Sequence, residues 1–249
     1  MISKARIKYI KSLQVKKYRK EEQLFLVEGA KSVEELLQSD FVVTWVAATE
    51  SFQEAHSKLL TGSTLEVVTT SDEELTDIGT LQSNNGALAV ARMKANIAPV
   101  ARPEEMILVL DDIRDPGNLG TIIRTADWYG IKNIVVSEET ADFYNPKTIS
   151  ASMGSFCRMN VYYVELNQYL SSVSGMIYGA YLQGQNIHRM NLPGKGGHLV
   201  MGNESRGIAE DLEKFIQHKI TIPSFGAAES LNAGVATGII LDHFRRSEK

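Results

Sequence analysis

The most informative stretch of this chain reads MILVLDDIRDPGNLGTIIRTA and spans residues 106–126. Its first five residues, Met106–Leu110, are apolar and have the composition of a buried strand. Pro116 and Gly117 then favour a turn, and Asn118 stands where the N-cap of a helix is expected. The apolar residues that follow predict a helix over residues 119–128. The stretch therefore predicts a strand, a polar loop and a helix in immediate succession.

The same alternation continues toward the end of the chain. Further strands are predicted over residues 133–136, 160–164, 176–182, 198–202 and 219–222. Further helices are predicted over residues 146–151, 167–173, 208–215 and 230–244. Strands separated by helices form parallel βαβ units, and the ligands of such sheets bind beyond the carboxyl ends of the strands. The loops that follow the strands are therefore the places where chemistry is expected.

Residues 1–97 predict a smaller α/β module. Its elements are one or two short helices over residues 3–20 and strands over residues 23–27, 42–47, 65–69 and 87–93. Helices separate these strands, and Ser71 is predicted to cap one of them. Residues 98–105 contain Pro99 and Pro103 and no periodic pattern. They are predicted to link the module to a second domain over residues 106–249.

The net charge of −4 is unevenly distributed along the chain. Residues 1–20 carry eight basic side chains and no acidic one, so the rest of the chain carries about −12. A basic segment on an acidic body indicates a local contact with a polyanion. A solvated helix face explains the same residues equally well, and composition alone does not choose between the two.

Composition also excludes several classes of protein. A lone cysteine, Cys157, excludes an internal disulfide and a multi-cysteine zinc site, and the five histidines lack the spacing of metal ligands. No apolar stretch approaches the roughly 18 residues that a membrane span needs. The N-terminus lacks the apolar region of a secretory signal. We therefore expect a metal-free cytoplasmic protein that does not bind a membrane.

A second informative loop lies in the segment LVMGNESRGI, residues 199–208. An apolar strand runs here into polar residues that lie between two glycines. Gly202 is expected to let a ligand approach the backbone, and Glu204 to place a carboxylate at the edge of the sheet.

A third loop follows the strand that ends at Pro223, in ITIPSFG and ESLN, residues 220–226 and 229–232. Ser230 is expected to start the last helix, which carries Gly234 and Gly238 at a spacing of four. This spacing indicates close packing of another backbone on the helix, within the subunit or across a dimer.

The three loops together resemble the motifs of the SpoU (TrmH) family of RNA ribose 2′-O-methyltransferases, in the SPOUT superfamily. The resemblance covers residues 106–244, with the motifs in family order. Residues 12–20 and 25–29 also look like the RNA-binding substrate domain of this family. Two departures are Asn85, where that domain often has glutamine, and Ala233-Gly234, where Val-Ser is commoner.

The resemblance implies an α/β fold with a small N-terminal α/β RNA-binding domain. The C-terminal SPOUT domain would have a parallel sheet and a deep trefoil knot, a threading that periodicity cannot reveal. The implied cofactor is S-adenosyl-L-methionine, the implied substrate is RNA, and the implied assembly is a homodimer. Ribosomal RNA is favoured over transfer RNA because of the separate N-terminal domain.

The resemblance also assigns residues to the site. The cofactor would be bound by Leu182, Gly184, Gly202, Ile222 and Leu231. The polar active-site positions would be Asn118, Arg124, Glu204, Ser230 and Asn232. No metal is implied. RNA would be contacted by the basic residues Lys4, Arg6, Lys16, Lys17, Arg19 and Lys20.

Arg124 is the position that the family treats as catalytic. An arginine side chain keeps its proton near neutral pH, so direct proton removal by Arg124 is the weaker hypothesis. We favour a guanidinium that binds the phosphate of the target and stabilises charge on the attacking 2′-oxygen. The other four polar residues would hold the arginine, the loops and the ribose in place.

Two other functions fit parts of the sequence. A non-catalytic RNA-binding protein could retain this fold, although Arg124, Glu204 and Asn232 are all intact. A dinucleotide-dependent oxidoreductase would need G-x-G-x-x-G after its first strand, and the loop from Gly117 to Gly120 lacks the third glycine. A ribose-binding acid after an early strand is also missing.

Overall fold

The computed structural model of the chain describes residues 2–61, 65–100, 102–190 and 196–246. Ala101, within the predicted linker, lies outside the described residues. The chain divides into two compact units. The first unit comprises Met1–Ala95 and Asp142–Cys157, and the second comprises Asn96–Ala141 and Arg158–Lys249. The N-terminal unit therefore includes a segment that sequence periodicity assigned to the second domain.

Helices and strands are numbered in chain order. The elements before residue 100 are α1 (Lys4–Ser12), α2 (Lys16–Glu22), β1 (Leu24–Glu28), α3 (Ala30–Leu37), β2 (Val43–Ala48), α4 (Glu50–Ala55), β3 (Glu66–Thr69), α5 (Asp72–Ile78) and β4 (Ala87–Arg92). The later elements are β5 (Met106–Leu110), α6 (Pro116–Trp128), β6 (Asn133–Val136), α7 (Pro146–Ser152), β7 (Asn160–Tyr163), α8 (Leu166–Ser172), β8 (Ile177–Asn186), β9 (Gly197–Met201), β10 (His218–Thr221) and α9 (Ala233–Arg246).

The first unit is built on a four-stranded sheet in the order β1-β4-β2-β3. β4 pairs antiparallel with β1 and β2, and β3 joins β2 in parallel. Leu26, Trp45 and Leu88 lie in its core with Ile10 of α1. Ser71 caps α5 by accepting the Glu74 N–H, which confirms the prediction for that residue.

The segment Asp142–Cys157 joins the first unit through aromatic packing and one buried ion pair. The ring of Phe25 in β1 lies 6.1 Å from the ring of Phe156 and 4.6 Å from that of Tyr144. The guanidinium of Arg19 reaches Asp142 Oδ2 at 2.6 Å. These contacts connect residues more than a hundred positions apart, which no local pattern in the sequence reveals.

The second unit is built on a six-stranded sheet in the order β10-β8-β9-β5-β6-β7. Every neighbouring pair is parallel, as the alternation of strands and helices predicted. All strands therefore end at one side of the sheet, which we call the carboxyl edge. Val109 and Val200 pack with Leu166 and Leu170 of α8 in its core. Among the described helices, none is both long and apolar enough to cross a membrane.

Two helix starts differ from the sequence prediction. α6 begins at Pro116, and Asp115 rather than Asn118 is its N-cap, since Asp115 Oδ1 accepts the Asn118 N–H at 2.8 Å. Proline suits this first helical position because it has no N–H to satisfy. The last helix begins at Ala233 rather than Ser230, because Asn232 Oδ1 accepts the N–H groups of the two residues after Ala233.

Two further elements also differ from their predicted form. The predicted helix over residues 208–215 is a 3-10 helix, Glu210–Phe215. The predicted strand over residues 176–182 continues to Asn186. Its pairing with β10 skips five residues, because Lys219 pairs with Gly179 and the next residue pairs with Gln185.

Candidate active site

Three polar side chains from three separate loops meet at the carboxyl edge. Asn118 Nδ2 donates to Glu204 Oε1 at 2.6 Å, and Asn232 Nδ2 donates to Asn118 Oδ1 at 2.8 Å. We call these three residues the polar relay. Glu204 follows β9, Asn118 follows β5 and Asn232 follows β10, so the parallel sheet brings them together. The structure therefore brings these three of the predicted site residues together.

Each relay residue is held by its own local structure. Asn118 lies in the first turn of α6, so its backbone is fixed by the Asp115 cap while its amide remains available. Asn232 uses Oδ1 to cap α9 and Nδ2 to bind Asn118. One side chain therefore fixes both the start of a helix and the position of the relay.

Glu204 is carried by a tight hairpin. Asn203 and Gly207 exchange backbone hydrogen bonds at 3.0 and 2.8 Å. The side chain of Asn203 accepts the N–H groups of Ser205 and Arg206, and its amide donates to the Asp112 carbonyl at 2.8 Å. The sequence analysis missed Asn203, although asparagine side chains in turns often hydrogen-bond the backbone two residues further on.

Arg124 and Ser230 make no hydrogen bond with the relay among the described residues. Arg124 lies six residues after Asn118 in α6, about 9 Å along the helix axis. Its exposed side chain makes no hydrogen bond or ion pair with the part of the chain that the structure describes. Ser230 is exposed and likewise has no side-chain hydrogen bond within the described residues. The guanidinium is therefore available to an external anion.

The structure shows a packing reason for the glycine at position 202. A Cβ atom there would overlap the carbonyl carbon of Gly207 and the nitrogen of Ile208. The backbone that approaches Gly202 so closely is therefore that of its own hairpin, and the expected approach of a ligand is not what requires the glycine.

The predicted cofactor residues Leu182 and Gly184 lie in the segment of β8 that the pairing with β10 skips. The Leu182 side chain is 76% exposed, and its carbonyl accepts a hydrogen bond from Thr221 at 3.1 Å. Gly184 lies so close to β10 that a Cβ atom would be 2.6 Å from the Lys219 carbonyl oxygen. This segment therefore leaves an apolar side chain unpacked at the carboxyl edge.

The other two predicted cofactor residues belong to the loop after β10. Ile222 is half-buried, whereas the side chain of Leu231, beside Asn232, is 45% exposed. Exposed apolar side chains beside a polar relay are what a ligand with an aromatic base and a charged tail requires.

The basic residues of the first unit divide into two groups. Lys4, Lys16, Lys17 and Lys20 are exposed, as expected for contacts with RNA. The prediction for Arg19 is wrong, because its side chain is 1% exposed and is bound to Asp142 and to two backbone carbonyls.

Three more basic residues lie on α1, and they differ in whether they are available to RNA. Arg6 is ion-paired with Glu66 at 2.8 Å. Lys8 and Lys11 are exposed and were not among the predicted contacts. With Lys4 they have helical spacings of four and three, so the sequence alone could have identified one basic face.

Two buried ionisable groups of the second unit have a structural role. Burial raises the pKa of Asp111, whose carboxylate accepts the Ala209 N–H at 2.8 Å. Burial lowers the pKa of His198 to about 4, and its ring nitrogen lies 3.1 Å from the Tyr169 hydroxyl. Neither contacts the polar relay. The described residues contain no group of three or more His, Cys, Asp or Glu side chains that could hold a metal ion.

The two units match two known families. Residues 105–242 match the SpoU rRNA Methylase family, and residues 4–89 match the MRM3-like substrate binding domain. The matched ranges contain the whole polar relay and the basic face of α1.

Relatives of known name and structure agree with this match. The chain is 31% identical over 243 residues to the 23S rRNA (guanosine(2553)-2′-O)-methyltransferase RlmP of Bacillus subtilis, covering 96% of each chain. A putative RNA methyltransferase of the TrmH family from Porphyromonas gingivalis has a solved structure and is 35% identical in sequence to this chain. That comparison has a TM-score of 0.87 and covers 99% of both chains.

A third relative was solved with its cofactor. The AdoMet-bound rRNA methyltransferase from Sinorhizobium meliloti is 27% identical, with a TM-score of 0.85, covering 99% of this chain and 96% of that one. The family match extends over more than half of this chain and includes the residues that form the relay. This chain is a member of the SpoU rRNA methylase family.

Proposed function

We propose that this protein transfers a methyl group from S-adenosyl-L-methionine to a ribose 2′-hydroxyl of ribosomal RNA. The observation that carries the proposal is the relay of Glu204, Asn118 and Asn232, with Arg124 further along the helix of Asn118 and unpaired among the described residues. The full-length relative from Bacillus subtilis is named for this reaction on 23S rRNA, and the relative from Sinorhizobium meliloti binds AdoMet.

The residues at the carboxyl edge fit this cofactor. Leu182 and Leu231 expose apolar surface that would hold an adenine, and Ile222 would add to the enclosure. Gly184 and Gly202 would contribute backbone groups only, since neither has space for a side chain. When bound, S-adenosyl-L-methionine supplies an electrophilic methyl group on its sulfonium.

The polar residues of the chain would act on the RNA. Arg124 binds a phosphate next to the target ribose and stabilises the negative charge that develops on the 2′-oxygen. Its guanidinium keeps its proton, so it is not the base in this proposal, and the 2′-hydroxyl proton passes to solvent water as the bond from oxygen to methyl forms. Asn118, Glu204 and Asn232 fix the loops against each other, and Ser230 has a free hydroxyl for the ribose.

The substrate requirement follows from the acceptor atom, because DNA has no 2′-hydroxyl. We assign RNA binding to the module over residues 1–97, with a linker over residues 98–105, and catalysis to residues 106–249. The contact surface would be the exposed lysines of α1 and α2, namely Lys4, Lys8, Lys11, Lys16, Lys17 and Lys20. Arg6 would contribute only if its pair with Glu66 opens.

The finer features of the family are also part of the proposal: a deep trefoil knot in the second unit, a homodimer and a cytoplasmic location. One observation supports dimerisation through α9. Its outer face borders an open cavity of about 410 Å³ with Val235, Ile239 and Tyr129 in the lining. Val235 is 51% exposed there. Gly234 and Gly238 also line this cavity, and a Cβ atom at either position would contact Thr121 or Thr125 of α6 in the same subunit.

One experiment distinguishes the proposed methyltransferase from the alternative, a non-catalytic RNA-binding protein. Purified protein is incubated with tritiated S-adenosyl-L-methionine and ribosomal RNA from a strain that lacks the gene. Arg124→Ala is expected to lower turnover at least 100-fold, the size found when a donor to a developing oxyanion is removed. Arg102→Ala, at a 73% exposed side chain of the same unit, is the matched control.

Two results would contradict the proposal. Cofactor binding by titration calorimetry without any methyl transfer would favour the non-catalytic alternative. Turnover of Arg124→Ala within about threefold of wild type, roughly 0.6 kcal/mol of barrier, would remove Arg124 from the mechanism.

A further inference from the structure

The loop between β10 and α9 crosses the carboxyl edge. It leaves β10, the outermost strand of the second sheet, at Thr221 and ends at Asn232, which binds Asn118 after β5. Two strands, β8 and β9, lie between β10 and β5. With about 4.8 Å between neighbouring strands, the loop spans roughly 14 Å. Its residues therefore pass over the ends of the strands that carry the site.

Phe225 lies at a turn within this loop. The Ser224 hydroxyl donates to the Gly226 carbonyl at 3.2 Å and closes the turn around Phe225. A Cβ atom at Gly226 would have no neighbour within 4 Å, so the turn is open to solvent. The phenyl ring of Phe225 makes no ring contact with the part of the chain that the structure describes.

The ring of Phe225 is 94% exposed, whereas Phe25 and Phe156 of the first unit are fully buried. Single exposed apolar residues are common on protein surfaces and need no explanation by themselves. Phe225, however, belongs to the same loop as Leu231 and Asn232, and Leu182 is tied to the start of that loop through Thr221. Phe225 needs an explanation because it lies in a loop at the carboxyl edge, and not only because its ring is exposed.

We propose that Phe225 stacks on a nucleobase of the RNA next to the target ribose and so positions that ribose at the relay. This inference rests on the proposed function. Proteins recognise unstacked RNA bases on aromatic rings, and such stacking tolerates any base because each has a π-face. The cofactor is already assigned to Leu182, Ile222 and Leu231, so the exposed aromatic ring of the loop is assigned to the second substrate.

The test compares Phe225→Ala and Phe225→Trp with wild type in the full chain. Ribosomal RNA from a strain that lacks the gene serves as the probe, and three quantities are measured: RNA retention on filters, methyl transfer, and cofactor affinity by calorimetry. Phe225→Ala is expected to weaken RNA binding and lower kcat/KM about tenfold, a typical effect of losing one base–aromatic stack. Cofactor Kd should stay within twofold, and Phe225→Trp should keep both RNA quantities within twofold.

Trp128→Ala is the matched control, since Trp128 is 84% exposed at the far end of α6 from Asn118. It should leave all three quantities unchanged. RNA binding by Phe225→Ala within twofold of wild type would overturn the inference. A cofactor Kd that weakens as much as RNA binding would overturn it too, by assigning the ring to the adenine. Wild-type protein that binds RNA but transfers no methyl group would refute the proposed function, while filter retention would still decide the role of Phe225.

Discussion

Replacing Arg19 by methionine should destabilise the first unit by about 3–5 kcal/mol, the usual effect of removing one partner of a buried ion pair. The side chain is 1% exposed. Its guanidinium donates to Asp142 at 2.6 and 3.2 Å and to the carbonyls of Leu13 and Gln14 at 2.9 and 2.7 Å. Methionine has a similar length but would leave one carboxylate and two carbonyl oxygens without these donors.

Urea unfolding followed by tryptophan fluorescence measures this loss in the intact chain. Of the two tryptophans, Trp45 is 3% exposed in the core of the first unit, and Trp128 in the second unit is already 84% exposed. The change in emission therefore reports mainly on the first unit. Lys17→Met is the matched control on the same helix, because its pair with Glu21 is solvent-exposed and is worth roughly 0.2–1 kcal/mol.

A loss for Arg19→Met within about 1 kcal/mol of that for Lys17→Met would refute the reasoning. A second variant tests the physical cause. Adding Asp142→Leu to Arg19→Met removes the uncompensated carboxylate, so the double variant should be more stable than Arg19→Met alone.

Three further predictions follow from features of the two units. Gly202→Ala should lower the Tm and abolish cofactor binding together, because a Cβ atom overlaps Gly207 and Ile208; a wild-type Tm by calorimetry would contradict this. Burial holds the pKa of His198 at about 4, whereas the unfolded imidazole titrates near 6.5, so the unfolded state binds the extra proton between these values. The free energy of unfolding should therefore fall as pH drops from 6.5 to 4, and His198→Asn should reduce this fall in urea titrations at pH 7 and pH 5. Changing Lys4, Lys8 and Lys11 together to glutamine should reduce the slope of log K against log salt for ribosomal RNA by about 2–3. The same change at Lys31, which is paired with Glu34 and Glu35, should leave the slope unchanged.

Local patterns in the sequence predicted which helices and strands form in the second unit better than the residues at which they begin and end. The strand Met106–Leu110 and the helix after it follow from an apolar run, a Pro-Gly turn and helical periodicity. The N-cap was assigned to Asn118 because asparagine is a good capping residue. Asp115 competes for the same role three residues earlier, and proline at the next position decides in its favour.

The candidate site was predictable to the extent that it depends on parallel strands. Glu204 and Asn118 each follow a strand, so a common edge was expected, and family motifs selected them from other polar residues. The direct bonds among Glu204, Asn118 and Asn232 depend on how the hairpin at Asn203 and the cap at Asn232 are formed. The burial of Arg19 was not predictable, because its partner Asp142 lies 123 residues away.

The first unit is built from two separate stretches of the chain, and this affects how the chain folds during synthesis. The unit needs Phe156 against Phe25 and Asp142 against Arg19, yet its other residues end at Ala95. The ribosome must therefore add about 60 more residues before this unit is complete, which takes roughly 3–12 s at 5–20 residues per second. During this interval Arg19 lacks its partner Asp142, and Phe25 of β1 lacks its contact with Phe156. The residues of β5, α6 and β6 of the second unit are synthesised in the same interval. The first unit thus cannot be completed before Cys157 is synthesised, although the second unit is completed later still, and nascent chains stalled before residue 157 should be the most sensitive to chaperones and proteases.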